Sequence, residues 1–126
     1  MPATLDQSID IAAPASRVWD LVSTSEGLSG WFVDAAVVPG PQGSVTLRFA
    51  PGAEGTVPIV IWDPPRRIKF GVADGGRVHD ITIVAAARGS RVRLQDEGVP
   101  DAEADATAAG WAGFLGKLRL LAETSH

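Results

Sequence analysis

Between Leu5 and Ile11 apolar and polar residues alternate. Leu5, Gln7, Ile9 and Ile11 share one side; Asp6, Ser8 and Asp10 share the other. A period of two with a polar outer face predicts a strand. The rhythm then changes. After Pro14, which a first helical turn tolerates, Val18, Trp19 and Val22 fall on one face at about 3.6 residues per turn, predicting a short helix over Ala15–Val22. Glu26 to Trp31 predicts a second short helix, capped by Ser25 and weakened by Gly27 and Gly30.

From Ala35 to Glu97 the clusters PGPQG, PGAEG, DPP, ADGG and ARGS separate apolar runs rich in Val, Ile and Phe. Short strands joined by turns predict an antiparallel sheet, with strands at Ala35–Val38, Ser44–Phe49, Thr56–Trp62, Arg67–Val72, Arg77–Ala85 and Ser90–Asp96. Ile68, Phe70 and Val72 face one way, Arg67 and Lys69 the other. Val92 and Leu94 face in, with Arg91, Arg93 and Gln95 out. His79 shares the side of Ile81 and Ile83, opposite Asp80 and Thr82.

Asp101 to Thr124 returns to helical spacing: Trp111, Phe114, Leu115, Leu118 and Leu121 form one wide stripe, extended by Ala104 and Ala108. Asp101 reads as the N-cap. Acidic Glu103 and Asp105 then sit early and basic Lys117 and Arg119 late, in keeping with the helix dipole. Gly110, Gly113 and Gly116 interrupt this helix, although a glycine inside a helix costs ~1 kcal/mol relative to alanine. Gly113 and Gly116 lie opposite the apolar stripe, and Gly110 on its margin. With Ala106, Ala109 and Leu120 they make a second, uncharged face, which suits a closely packed neighbour such as a second copy of the chain in a homodimer.

Composition narrows the classes. A chain of 126 residues points to a single domain over 1–126 with one real core. The net charge of -4 argues against a nucleic-acid or anionic-membrane partner. The absence of cysteine excludes disulfides, thiolate catalysis and cysteine-type zinc sites. One internal histidine and no acidic cluster at ligand spacing leave no metal or cofactor expected. No basic segment leads into an apolar run at the N-terminus, and no apolar stretch approaches the length of a membrane span, so a cytoplasmic location is expected. No nucleophile elbow, phosphate loop, HExxH or dinucleotide fingerprint occurs.

The order strand, two short helices, six strands and long helix combines with local text at IDIAAPASRVWDLVSTSEGLSGWF (Ile9–Phe32), IWDPPRRIKF (Ile61–Phe70) and GWAGFLGKLRLL (Gly110–Leu121). Together they resemble the SRPBCC superfamily of START domains and pollen allergens, and within it the Aha-type branch, named after the C-terminal domain of the activator of the heat-shock chaperone ATPase. The resemblance spans nearly the whole chain. It implies an α+β helix-grip fold: a curved antiparallel sheet of about seven strands wrapped on the long C-terminal helix, with a mostly apolar cavity between them. Functions in the superfamily range over lipid and hormone binding, polyketide cyclisation and dehydration, and co-chaperone activity. No segment matches the separate N-terminal domain of Aha co-chaperones, so a co-chaperone role is not implied.

Trp31, Phe32, Phe49, Phe70, His79, Ile81, Trp111, Phe114, Leu115 and Leu118 are the candidate cavity-lining residues. Each has two readings, plain core packing or the wall of a concave apolar site with few polar groups. His79 is either a hydrogen-bonded structural histidine near a strand start or a cavity group able to act as acid or base. The expected function is binding of a lipophilic or aromatic small molecule. The alternatives are a cyclase or dehydratase, with His79, Asp20, Arg48 or Gln95 converging in the cavity, and a co-chaperone or other protein-interaction module. The DPPRR turn (Asp63–Arg67) reads as a hairpin corner. Arg67, Lys69, Arg91 and Arg93 read as a charge-mixed outer face.

Overall fold

Among the described residues seven antiparallel strands lie in one sheet, in the order β1-β7-β6-β5-β4-β3-β2. They are β1 (Ala3–Ile11), β2 (Asp34–Val38), β3 (Ser44–Ala50), β4 (Ala53–Asp63), β5 (Arg67–Gly71), β6 (Val78–Ala86) and β7 (Gly89–Val99). Helices α1 (Ala15–Ser23) and α2 (Ser25–Trp31) follow the first strand, and α3 (Ala104–Thr124) ends the chain. This is the α+β helix-grip arrangement. The computed structural model describes residues 3–50, 53–71 and 77–124, with the side chains at 3, 49, 50 and 53 outside that description.

Over the described residues the alternation in β5, β6 and β7 is realised as read; Val72 lies outside them. Ile68 and Phe70, Ile81 and Ile83, and Val92 and Leu94 are all buried against α3, which contributes Trp111, Leu115, Leu118 and Ala122 to the same core. In β4 the strict period of two breaks. Ile59 stands opposite Phe70, but Ile61, not Val60, stands opposite Lys69, so Val60 is an extra residue. The bulge turns Trp62 inward, opposite Ile68, where it meets Trp19 edge-on at 5.2 Å. Val60 is left exposed.

Two caps differ from the reading. Thr24, not Ser25, caps α2: its hydroxyl accepts from Gly27 N at 3.0 Å, while the Ser25 hydroxyl accepts from Val37 N at 2.8 Å and ties the helix to β2. Asp101 is not the N-cap of α3. It lies in a short 3-10 turn (Asp101–Glu103) after Pro100, and the α-helix begins at Ala104. Gly27 has a packing reason. A Cβ there would stand 2.5 Å from Asp20 O and 2.6 Å from Leu21 Cα, so only glycine lets α2 close on α1.

The outer face of the sheet carries charge in pairs. Arg67 holds Asp80, Lys69 meets Glu97, Arg91 holds Asp10 and Arg93 holds Asp6. Asp80 is nonetheless buried, covered by the bidentate Arg67 guanidinium at 3.0 and 2.7 Å. That contact holds Arg67 above the ordinary arginine range. Among the described residues no helix is long and apolar enough to cross a membrane.

Candidate functional site

Strand register brings Phe70, His79 and Asp96 into one row across β5, β6 and β7, all on the inner face. Asp96 is the unexpected member. It continues the inward series Val92, Leu94, so a carboxylate occupies a core position with no exposure to water. A buried charge needs a partner and hydrogen bonds. Arg77, just before β6, supplies both through Nε to Oδ1 at 3.1 Å and Nη2 to Oδ2 at 2.5 Å. From α3 the Trp111 indole donates to Oδ2 at 2.7 Å. One carboxylate therefore joins the start of β6, the C-terminal part of β7 and the C-terminal helix.

His79 is packed rather than bonded into this cluster. Its ring stacks on Phe70 at 5.3 Å, and Nε2 lies 3.7 Å from Asp96 Oδ1, too far for a hydrogen bond. Burial pushes the imidazole down to about pKa 4. Asp96 pulls it up and Arg77 pushes it down again. Because Arg77 already balances Asp96, the carboxylate does not hold a proton on His79, which is neutral at physiological pH.

An aromatic wall completes the site. Phe32, the residue after α2, stacks on Trp111 at 4.8 Å and meets Phe114 edge-on at 5.1 Å; Trp111 meets Phe114 at 5.6 Å. These rings, with Thr107 and Gly110, line a half-open cavity of about 200 Å³ that Arg77 and His79 also line. A second cavity of about 170 Å³ is lined by Leu47, Gly55, Val57 and the same Arg77 and His79. The two flank the polar cluster.

Of the residues singled out from sequence, Phe32, His79, Trp111 and Phe114 meet at the first cavity. Phe70 stands behind His79. Trp31, Ile81, Leu115 and Leu118 are core residues that line neither of these cavities, and Trp31 spends its indole N–H on Leu21 O at 2.8 Å. The Phe49 side chain lies outside the described residues. Asp20, Arg48 and Gln95 do not converge with His79. Asp20 lines a groove beside α1 and α2, Arg48 pairs with Asp34 and Glu54 at the surface, and Gln95 is on the outer face opposite Asp80. Gly110 does line the cavity, so one of the three helix glycines serves the site. The sequence signals for the missed pair were present. Asp96 has inward parity in a clear strand, and a cation was needed to meet it.

Two grooves are larger, at about 560 and 590 Å³. One runs between the β6–β7 hairpin and the end of α3, the other between α1, α2 and Leu121. Both are somewhat more open to solvent than the smaller cavities and neither has an aromatic wall, so the smaller cavities are the better candidate site. Among the described residues no three acidic or histidine side chains are placed to hold a metal ion.

A family model described as polyketide cyclase / dehydrase and lipid transport matches residues 2–122. The chain belongs to this polyketide cyclase / dehydrase and lipid transport family. The SRPBCC resemblance read from the motifs is thereby shown. No curated protein matches the chain significantly. Solved structures share the family fold. The Bacillus halodurans protein BH1534 superposes with a TM-score of 0.83 at 19% identity, over 96% of this chain and 97% of that one. DynU16, from the dynemicin biosynthetic locus, gives 0.82 at 21% identity over 96% of this chain and 47% of its own. The Aha1 dimer from Colwellia psychrerythraea gives 0.77 at 18% identity over 97% of each chain.

Proposed function

We propose that this protein binds a small, largely apolar or aromatic molecule between the sheet and α3, in the cavities on either side of Arg77 and His79. The observation that carries the reading is the meeting of an aromatic wall, Phe32, Trp111 and Phe114, with a single polar cluster at a concave site. Ligand sites have this composition: apolar lining with a few placed polar groups. Membership of a lipid-transport and cyclase family supports it. A panel of lipophilic metabolites tests it by thermal shift and by quenching of tryptophan fluorescence. At least one compound should raise the melting temperature saturably, and Phe114→Ala should weaken it. If none does at saturating concentration, the reading fails.

A cyclase or dehydratase reaction in the same cavity is the second reading, favoured by a neutral imidazole that lines it beside a carboxylate. A base with a pKa near 4 takes up protons poorly at neutral pH, so the binding reading is preferred. Turnover of a candidate substrate that disappears in His79→Ala would reverse that preference.

The Ala109/Gly113/Gly116 face of α3 remains a proposed homodimer contact. No heavy atom beyond the helix itself lies within 4 Å of a Cβ at Gly113 or Gly116, and Leu120 nearby is exposed. Sedimentation equilibrium tests it: a monomer at high concentration would rule the contact out.

A further inference from the structure

We propose that the Arg77–Asp96 pair and Gly55 set the ligand's charge and length: the site takes an electrically neutral molecule with an acceptor oxygen at its middle, one lobe in each cavity, and refuses the matching carboxylate. This rests on the ligand-binding reading above.

Arg77 and His79 line both cavities, so a molecule that fills both passes beside them. Arg77 gives Nε and Nη2 to Asp96, and a guanidinium has further N–H donors for an acceptor oxygen. The local charge is already balanced, Arg77 against Asp96. A carboxylate brought to Arg77 would stand next to the fully buried Asp96, two anions sharing one partly exposed guanidinium. A cation would meet Arg77 itself. A neutral acceptor meets neither penalty.

The lobes differ in their walls. Phe32, Trp111 and Phe114 present ring faces and edges on one side, while Leu47 and Val57 are aliphatic on the other. Gly55 pairs with the buried Leu47 on the inner face, and a Cβ built on it would meet nothing within 4 Å. The glycine is thus not required by packing. Gly55 lies at the exposed rim of the second cavity on the same face as Leu47, so a side chain there would take up part of that lobe.

Benzophenone, diphenylmethane and diphenylacetate test this as a matched set: two rings about a carbonyl, about a methylene, and about a carbon bearing a carboxylate. Isothermal titration of the whole chain should find benzophenone bound at least ~tenfold tighter than either other compound, about the worth of one good hydrogen bond. Gly55→Val should weaken benzophenone by ~tenfold or more, as expected when a side chain fills one lobe. Asp96→Asn, which frees the Arg77 charge, should turn the preference toward diphenylacetate. Should that variant not fold, the wild-type ranking and Gly55→Val decide. Diphenylacetate binding as well as benzophenone would overturn the charge rule while leaving cavity binding standing. Benzophenone binding untouched by Gly55→Val would overturn the two-lobed placement. Failure of all three to bind up to their solubility limits would overturn this inference, whereas failure of the wider lipophilic panel would overturn the reading it rests on.

Discussion

His79 stands directly opposite Asp96 on neighbouring strands, yet no hydrogen bond joins them. Arg77 takes the carboxylate instead, and the imidazole is left neutral against Phe70. A folded-state pKa near 4, below the ordinary 6.5, means the unfolded chain binds a proton at this site that the folded chain does not. Stability from His79 is therefore complete above about pH 6.5 and lost as pH falls toward 4, at ~1.4 kcal/mol per pH unit within that window. Urea unfolding between pH 4 and 7 should show this slope, and it should diminish in His79→Leu. Imidazole resonances of His79 that titrate near pH 6.5 would contradict the assignment.

Asp96→Ala leaves Arg77 and the Trp111 indole without their acceptor and unties α3 from β7. The expected loss is about 3 kcal/mol, at the lower end for breaking a buried pair because Arg77 is partly solvated. Removing Arg93 from its exposed pair with Asp6 should leave stability nearly unchanged, because solvent screens that contact. Chemical denaturation of the two variants side by side checks the contrast.

Much of this arrangement is legible in sequence, and the misses have physical causes. Alternation places His79 inward with Ile81 and Ile83, and helical spacing places Trp111 and Phe114 on the inner face of the last helix, because burial enforces those periods. The same alternation points Asp96 inward. Its role depends on Arg77, 19 residues away, and only the β6–β7 register brings the two together. The bulge at Val60 is invisible to a period-two reading, since one extra residue changes parity without changing composition. Thr24 and Ser25 are adjacent hydroxyl residues of similar capping preference. In the fold Thr24 caps the helix, while the Ser25 hydroxyl is taken up by Val37 N.

Thr24→Ala removes the acceptor for Gly27 N and should cost ~1 kcal/mol. Ser25→Ala should act differently, loosening the α2–β2 contact through Val37 N with little effect on helix content. Hydrogen exchange at the Gly27 and Val37 amides separates the two effects.

Gly113 and Gly116 face open space in the single chain. Gly113→Ala and Gly116→Ala should each stabilise the monomer, by up to ~1 kcal/mol from helix propensity. If that face packs on a second copy, the same substitutions should weaken self-association instead. Thermal unfolding followed across protein concentration distinguishes the outcomes.

Amide and indole chemical-shift mapping, with benzophenone titrated into the whole chain, tests cavity binding most directly. The expected result is saturable shifts at the Trp111 indole N–H and at Thr107, Gly110, His79 and Gly55, with the amides of Arg88 and Arg119 in the open groove unmoved. Shifts centred on Arg88 and Arg119, or no saturable shifts, would contradict a ligand site between sheet and helix.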